Sequence, residues 1–272
     1  MKGFERLSTR LRHAPALEKI EWLWDAVRPV YDRALGLVAG RSGIERVING
    51  TDPVRLAVEW RSVAEVYEPA VWRRVMEVVR PGDFVADVGA YVGLYSLALA
   101  RRVGSDGRVY AFEPDSRNAT ALEGHVALNG LGRRVVVVRA AAAATTGLAR
   151  FDPRGDSESH LLGPGESMQP ACTLTVRLDE ALSGSRLDLL KLDVEGFEEH
   201  VLRGAEGILR RRPGRPRALF IEVHPSAWTA AGTSNTSFLG FLRECGYEVE
   251  DLAGERVHEV RDYGEVVAVP VD

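Results

Sequence analysis

Residues 83–96, Asp83-Phe-Val-Ala-Asp-Val-Gly-Ala-Tyr-Val-Gly-Leu-Tyr-Ser96, compress a strand, a tight turn and a helix start into one short stretch. An apolar run ends in an acidic residue, breaks at Gly89 and Gly93, and gives way to a helical pattern. A strand that stops in glycines and feeds a helix is the opening unit of a doubly wound α/β sheet. Its turn lets a nucleotide-like ligand approach the backbone closely, and Asp87 stands where a polar group of that ligand can be gripped.

The chain around this unit keeps the same rhythm. A helix from Glu68 to Val79 ends at Arg80-Pro81-Gly82-Asp83, and the strand candidates Phe84–Val88, Arg108–Phe112, Arg134–Arg139, Leu187–Leu192 and Ala218–Val223 have helical segments between most of them. Strands this apolar, alternating with helices, predict a mostly parallel sheet covered on both faces. Leu148–Asp152 and Ala171–Val176 break the alternation as short strands flanking 153–170, a Gly, Ser and Pro-rich excursion whose tip carries Ser157, Ser159 and His160. His160 is thereby a candidate substrate contact from a lid, with an ordinary surface loop as the alternative. A helix over Ser237–Cys245 and strands Tyr247–Leu252 and Val266–Val271 follow, the short link between the strands suiting an antiparallel return. Residues 1–66 lack a strand rhythm, and Ile20, Leu23, Trp24 and Val27 fall at helical spacing. They predict a helical N-terminal cap on an α/β domain at 67–272.

Composition narrows the function classes. A chain of 272 residues, 45% hydrophobic, can bury a large α/β core, and its formal net charge of −4 gives no general affinity for nucleic acid phosphates. The basic run Arg210–Arg217 reads as a solvated helix end and loop. Cys172 and Cys245, far apart and without a CxxC partner, argue for neither a disulfide framework nor a zinc site. Without a signal-like N-terminus or an uncharged apolar run of spanning length, the expectation is a cytoplasmic protein that binds no membrane, with homo-oligomerisation left open. Asn49-Gly50-Thr51, Asn118-Ala119-Thr120 and Asn235-Thr236-Ser237 match the glycosylation pattern by chance.

The glycine spacing then selects among nucleotide-like ligands. G-x-G-x-x-G counted from Gly89 puts Tyr91 and Leu94 where glycines belong, and no Gly-Lys-Ser/Thr follows the turn, so dinucleotide and P-loop readings weaken. Asp-x-Gly-x-x-x-Gly with a second strand ending in Phe112-Glu113-Pro114-Asp115 fits a ligand with a ribose diol and no pyrophosphate. S-adenosylmethionine is such a ligand.

At this level the chain, from about Tyr67 to Trp228, resembles the FkbM family of S-adenosylmethionine-dependent methyltransferases. The resemblance rests on Tyr67-Glu68-Pro69, Pro81-Gly82-Asp83, Asp87-Val-Gly-Ala-Tyr-Val-Gly93, Phe112-Glu113-Pro114, Asn129, Leu178-Asp179, Lys191-Leu-Asp-Val-Glu-Gly-Phe-Glu198 and Ile221-Glu222-Val-His224. It implies a Rossmann-like class I methyltransferase sheet of seven strands in the order 3-2-1-4-5-7-6, only the seventh antiparallel. It also implies O-methylation of a small molecule such as a sugar or specialised metabolite; N-methylation, or a non-catalytic cofactor-binding module, are the alternatives.

The cofactor is then expected against Tyr67, Asp87, Gly89, Ala90, Gly93, Glu113, Pro114, Asp115, Ala140 and Asp193, with Glu113 on the ribose hydroxyls. The acceptor should approach from the ends of the fourth and fifth strands, where Asp193, Glu195, Glu222 and His224 stand. Asp193 and Glu195 lie two apart, as do Glu222 and His224, so each pair shares a face if the backbone stays extended. Three roles compete: Asp193 or His224 as general base with Glu222 beside them, carboxylates such as Glu195 orienting the substrate or offsetting the sulfonium, or Asp193 and Glu222 holding Mg²⁺. Lys191 reads as a structural ion-pair partner.

Overall fold

A computed structural model describes residues 42–152, 160–161 and 171–271, and the chain divides into two compact units, 1–65 and 66–272. In the first unit the described residues are not the expected helical cap. Ile44–Ile48 (β1) and Asp52–Leu56 (β2) form an antiparallel hairpin, with Ile48 opposite Asp52. Asn49 and Gly50 turn the chain at φ 49° and 72°, the two left-handed residues of a type I′ turn, and Thr51 N–H closes it on the Ile48 carbonyl at 3.1 Å. Burial of Ile44, Ile48, Val54 and Leu56 follows a strand's alternation, not a helix's. The helical periodicity at Ile20–Val27 lies outside the described residues.

The second unit opens with helix Pro69–Val78 (α1), then strand Phe84–Val88 (β3), helix Leu94–Arg102 (α2), strand Arg108–Phe112 (β4), helix Ser116–Leu128 (α3) and strand Val135–Val138 (β5). Short strands Ala141–Ala142 (β6), Gly147–Asp152 (β7), His160–Leu161 (β8) and Ala171–Val176 (β9) follow. Strand Leu189–Leu192 (β10), helix Glu198–Gly204 (α4), strand Ala218–Val223 (β11), helices Pro225–Ala231 (α5) and Asn235–Glu244 (α6), and strands Tyr247–Glu250 (β12) and Gly264–Pro270 (β13) follow, with four-residue helices at Leu178–Ala181 and Glu206–Leu209.

The large sheet runs β5-β4-β3-β10-β11-β13-β12, and β13 alone is antiparallel to its neighbours. Numbered by its own strands this is 3-2-1-4-5-7-6, the order expected. Every residue of β10 and β11 is buried, because both faces are covered: Leu190, Leu219 and Ile221 share a core with Leu202, Phe238 and Leu242. The order reverses beside β3, so the crevice beyond the carboxyl ends of β3, β4 and β10 is where a ligand belongs in such a sheet.

The predicted excursion is a second sheet, β6-β9-β7-β8, in which β7 and β9 pair from Gly147↔Thr175 to Phe151↔Ala171. His160 pairs with Asp152 through its backbone; Ser157, Ser159 and the His160 side chain lie outside the described residues. Among the described residues no helix is long and apolar enough to cross a membrane.

Candidate active site

A cleft open on one side lies at the carboxyl ends of β3, β4 and β10, where such a sheet places a ligand. Gly89, Tyr91, Glu113 and Pro114 form one wall, Asp193, Val194 and Glu195 another, with Tyr67 and the apolar side chains of Phe151, Leu161 and Phe197 completing it.

The glycines are required by the protein itself. Gly89 has φ 80°, and a Cβ there would stand 1.7 Å from the Asp193 carbonyl oxygen; Gly93, at φ 92°, faces Leu122 at 2.2 Å. The tight turn thus lets the end of β3 lie against the end of β10, where Asp193 N–H donates to the Val88 carbonyl at 3.0 Å. The two walls of the cleft are one backbone contact apart.

Glu113, 4% exposed, accepts from Tyr91 N–H at 2.8 Å and from Asp115 N–H at 2.9 Å. One oxygen fastens the glycine turn and the other the chain entering α3, and the Asn118 side chain hydrogen-bonds to the same carboxyl. Burial pushes this carboxyl up to about 8 against the pull of those two N–H donors.

Asp87 is 1% exposed. Its Oδ2 accepts from Ser96 Oγ at 2.5 Å, while its Oδ1 is buried without a hydrogen-bond partner among the described residues. Burial raises its pKa, with the Lys191 ammonium pulling the other way. An orphan buried acceptor beneath the turn and a diol-sized carboxylate at Glu113 suit the donors of an adenosyl amino acid.

Lys191 sits opposite Asp87 on the neighbouring strand. It donates to Asp193 Oδ2 at 3.1 Å and lies 4.8 Å from the Tyr95 ring centroid. Burial alone would depress its pKa, yet the charges of Asp193, Glu68 and other neighbours hold it well above the usual value. Tyr95 in turn donates to Glu68 at 2.9 Å. Burial raises the Tyr67 and Tyr95 phenols beyond any physiological titration.

On the acceptor side the paired residues separate. Glu195 adopts φ 53° and reaches the cleft. His224 is gripped on both nitrogens: Nδ1 lies 2.8 Å from Glu198 Oε1 and Nε2 lies 3.3 Å from Glu195 Oε2. Burial works against the charged ring, but the Glu198 hydrogen bond and the Glu195 charge prevail and raise its pKa to about 9. An imidazole so held is protonated at neutral pH and is a poor general base. Glu222 accepts from the Tyr263 hydroxyl, and burial, with the charge of Asp193, takes it up to about 8.

The sequence candidates therefore distribute unevenly. Tyr67, Gly89, Glu113, Pro114, Asp193 and Glu195 line the cleft; Asp87, Ala90 and Gly93 do not. Neither does Ala140, whose place is taken by Ala141 and Ala142 of β6. Asp115 spends its carboxylate capping α3, accepting from Arg117 and Asn118 N–H at 2.8 and 3.1 Å. Glu222 lines a smaller neighbouring cavity with Glu68, Lys191 and Glu265, and His224 reaches the main cleft only through Glu195.

Sequence reasoning missed Glu198, Phe151, Leu161 and Phe197 as site components. Glu198 stood inside a quoted motif, but its contact with His224 depends on β10 and β11 being neighbours. As for a metal, Glu68, Asp193 and Glu222, or Asp193, Glu195 and His224, could bring ligand atoms within 4.8 Å of one another. Lys191 already supplies the first group's cation, and both ring nitrogens of His224 already have carboxylate partners.

The model of the methyltransferase FkbM domain matches residues 87–249, more than half the chain. No curated protein matches the sequence. Solved structures of similar fold include an S-adenosylmethionine-dependent O-methyltransferase from Thermotoga maritima, 18% identical over 76% of this chain and 66% of that one, TM-score 0.44. Precorrin-6y C5,15-methyltransferase from Geobacter metallireducens is 13% identical, over 77% and 92%, TM-score 0.44. Fibrillarin from Aeropyrum pernix, solved with natively bound S-adenosylmethionine, is 18% identical, over 70% and 68%, TM-score 0.39.

Proposed function

The chain belongs to the FkbM family of S-adenosylmethionine-dependent methyltransferases, and from that premise we propose that it methylates a hydroxyl of a small, uncharged molecule such as a sugar or specialised metabolite. The observation that carries this reading is the acceptor wall: Asp193 and Glu195 present carboxylates to the cleft directly across the Gly89 contact from the cofactor wall. A phosphate-bearing acceptor, nucleic acid included, would meet Asp193 and Glu195 there, with the nearby cations Lys191 and His224 already paired to carboxylates. Repulsion of like charges at such range costs far more than a small ligand can recover elsewhere.

S-adenosylmethionine supplies a methyl group on an already activated leaving group, so no protein acid is needed for departure. The chain's residues supply placement and a destination for one proton. Glu113 binds the ribose hydroxyls, the Gly89–Tyr91 turn and Pro114 bound the adenosyl side, and Tyr67 borders the cleft opposite them. Asp193, oriented by the Lys191 ammonium, accepts the hydroxyl hydrogen bond and takes the proton as the new O–C bond forms. Placement of this kind supplies about 7–11 kcal/mol of barrier reduction, and the positioned carboxylate roughly 10²–10⁴ in rate.

Incubation with methyl-labelled cofactor and trapping of the product tests the oxygen acceptor. Label on an ether oxygen supports it; label on nitrogen overturns it.

A further inference from the structure

His224 stands at the end of β11, where a base for the acceptor would be sought, and yet its surroundings are those of a fixed cation. Glu198 is wholly buried, and its carboxylate is used up by three donors: Gly196 N–H and His224 Nδ1 on Oε1, each at 2.8 Å, and Trp228 Nε1 on Oε2 at 2.8 Å. A buried carboxylate needs a compensating charge as well as hydrogen bonds, and His224 is the cation in contact with it. The far nitrogen of the same ring meets Glu195.

The backbone is bent to bring Glu195 there. Glu195 occupies the left-handed region at φ 53° and Gly196 follows at φ 102°, where a Cβ would stand 2.4 Å from Ala227 Cβ. A non-glycine residue in that region is strained and persists where its surroundings hold it, often at functional sites. Had the strand continued extended past Asp193, Glu195 would share its face and compete for Lys191; the left-handed step sends it to His224 instead. The groups facing His224 are Glu195 from the β10–α4 turn, Glu198 at the start of α4, Asp193 just past β10, and the Tyr263 ring, 5.2 Å away beside β13.

We propose that His224 is a positioning residue for the acceptor: bridging Glu198 and Glu195, it holds the Glu195 carboxylate in the cleft to receive a hydrogen bond from the acceptor, and it takes no proton itself. The division of labour follows. Asp193 takes the proton of the reacting hydroxyl, while Glu195 fixes a second polar group of the same molecule, so the acceptor is a compound with at least two neighbouring donors, as in a vicinal diol or an amino alcohol. This rests on the acceptor-side reading above, but its test does not require the acceptor.

The test is a histidine titration by NMR on the full chain with S-adenosylhomocysteine bound, the His224 resonance being assigned by its absence in His224→Gln. The wild-type ring should titrate near 9. Glu198→Gln should bring the midpoint down toward the ordinary histidine value of about 6.5, and Glu195→Gln, a cleft substitution away from the core, should lower it by a smaller step. A wild-type midpoint near 6.5, or a midpoint unmoved by Glu195→Gln, overturns the bridge even if the methyl acceptor proves to be oxygen. Conversely, a nitrogen acceptor refutes the O-transfer reading and leaves the titration intact. With the acceptor trapped by labelled transfer, Glu195→Gln should raise the KM for acceptor at least tenfold with cofactor Kd unchanged; an unchanged acceptor KM removes Glu195 from recognition.

Discussion

Replacing Gly89 with alanine probes the contact on which both walls of the cleft depend. Two costs add. Alanine at φ 80° pays the left-handed strain, on the order of 1–2 kcal/mol. The new Cβ would lie 1.7 Å from the Asp193 carbonyl oxygen, and the obstacle is backbone, which cannot rotate aside. Relief requires the ends of β3 and β10 to part by more than an ångström, at the expense of the Asp193 N–H bond to Val88, 3.0 Å long. Overpacking of this kind costs about 1–3 kcal/mol and the lost bond about 1 kcal/mol. The expected destabilisation is therefore roughly 3–6 kcal/mol, a large share of the whole stability of an ordinary domain. Gly104 supplies the control: its φ is 70° and a Cβ there meets nothing within 4 Å, so Gly104→Ala pays the strain alone. Urea denaturation of both variants, with calorimetric titration of S-adenosylhomocysteine, separates the terms. Gly89→Ala should be the less stable by at least 2 kcal/mol and bind the ligand more weakly because Asp193 moves with its carbonyl. Equal destabilisation of the two variants would refute the argument that the glycine is there for β10.

Glu113→Ala should weaken S-adenosylhomocysteine binding by about 1–3 kcal/mol, since it strips the ligand hydroxyls and the Tyr91 and Asp115 N–H groups of their acceptor; unchanged affinity by calorimetry would remove it from the ribose. Asp193→Asn should leave cofactor affinity within threefold and lower turnover by roughly 10²–10⁴, and full activity would strike it from the mechanism. Burial, with the charge of Asp193 beside it, raises Glu222 from the ordinary carboxyl value of 4.5 to about 8, so its contribution to stability is fully present below pH 4.5 and is lost as pH rises through 8. Melting temperature followed from pH 5 to 9 should fall less steeply in Glu222→Gln than in the wild type; parallel curves would place the pKa of Glu222 elsewhere.

What the sequence disclosed and what it hid follow one physical rule. Strands β3, β4 and β11 were legible to the residue because apolar runs bounded by turn residues have a single partner arrangement in a parallel sheet. The β1–β2 hairpin was equally local, written in Asn49-Gly50, but those residues also match a glycosylation pattern and were read as chance. The active-site pairs failed for a different reason. Spacing by two puts side chains on one face only while the backbone is extended, and β10 ends at Leu192 and β11 at Val223, so that of the four paired residues only Glu222 lies inside a strand. Beyond those ends Glu195 takes φ 53° and His224, at φ −120° and ψ 71°, opens α5. Glu222 consequently turns to Tyr263 while His224 turns to Glu198, and Asp193 keeps Lys191 while Glu195 leaves for His224. A local pattern cannot announce its own termination by one residue. The candidate site lies at that termination, where polar side chains leave an apolar sheet and reach the cleft. The strand interior is thus readable because packing permits few alternatives, and the site is unreadable because its side chains are released from that constraint, to be fixed again by partners such as Glu198 that are distant along the chain and adjacent across the sheet.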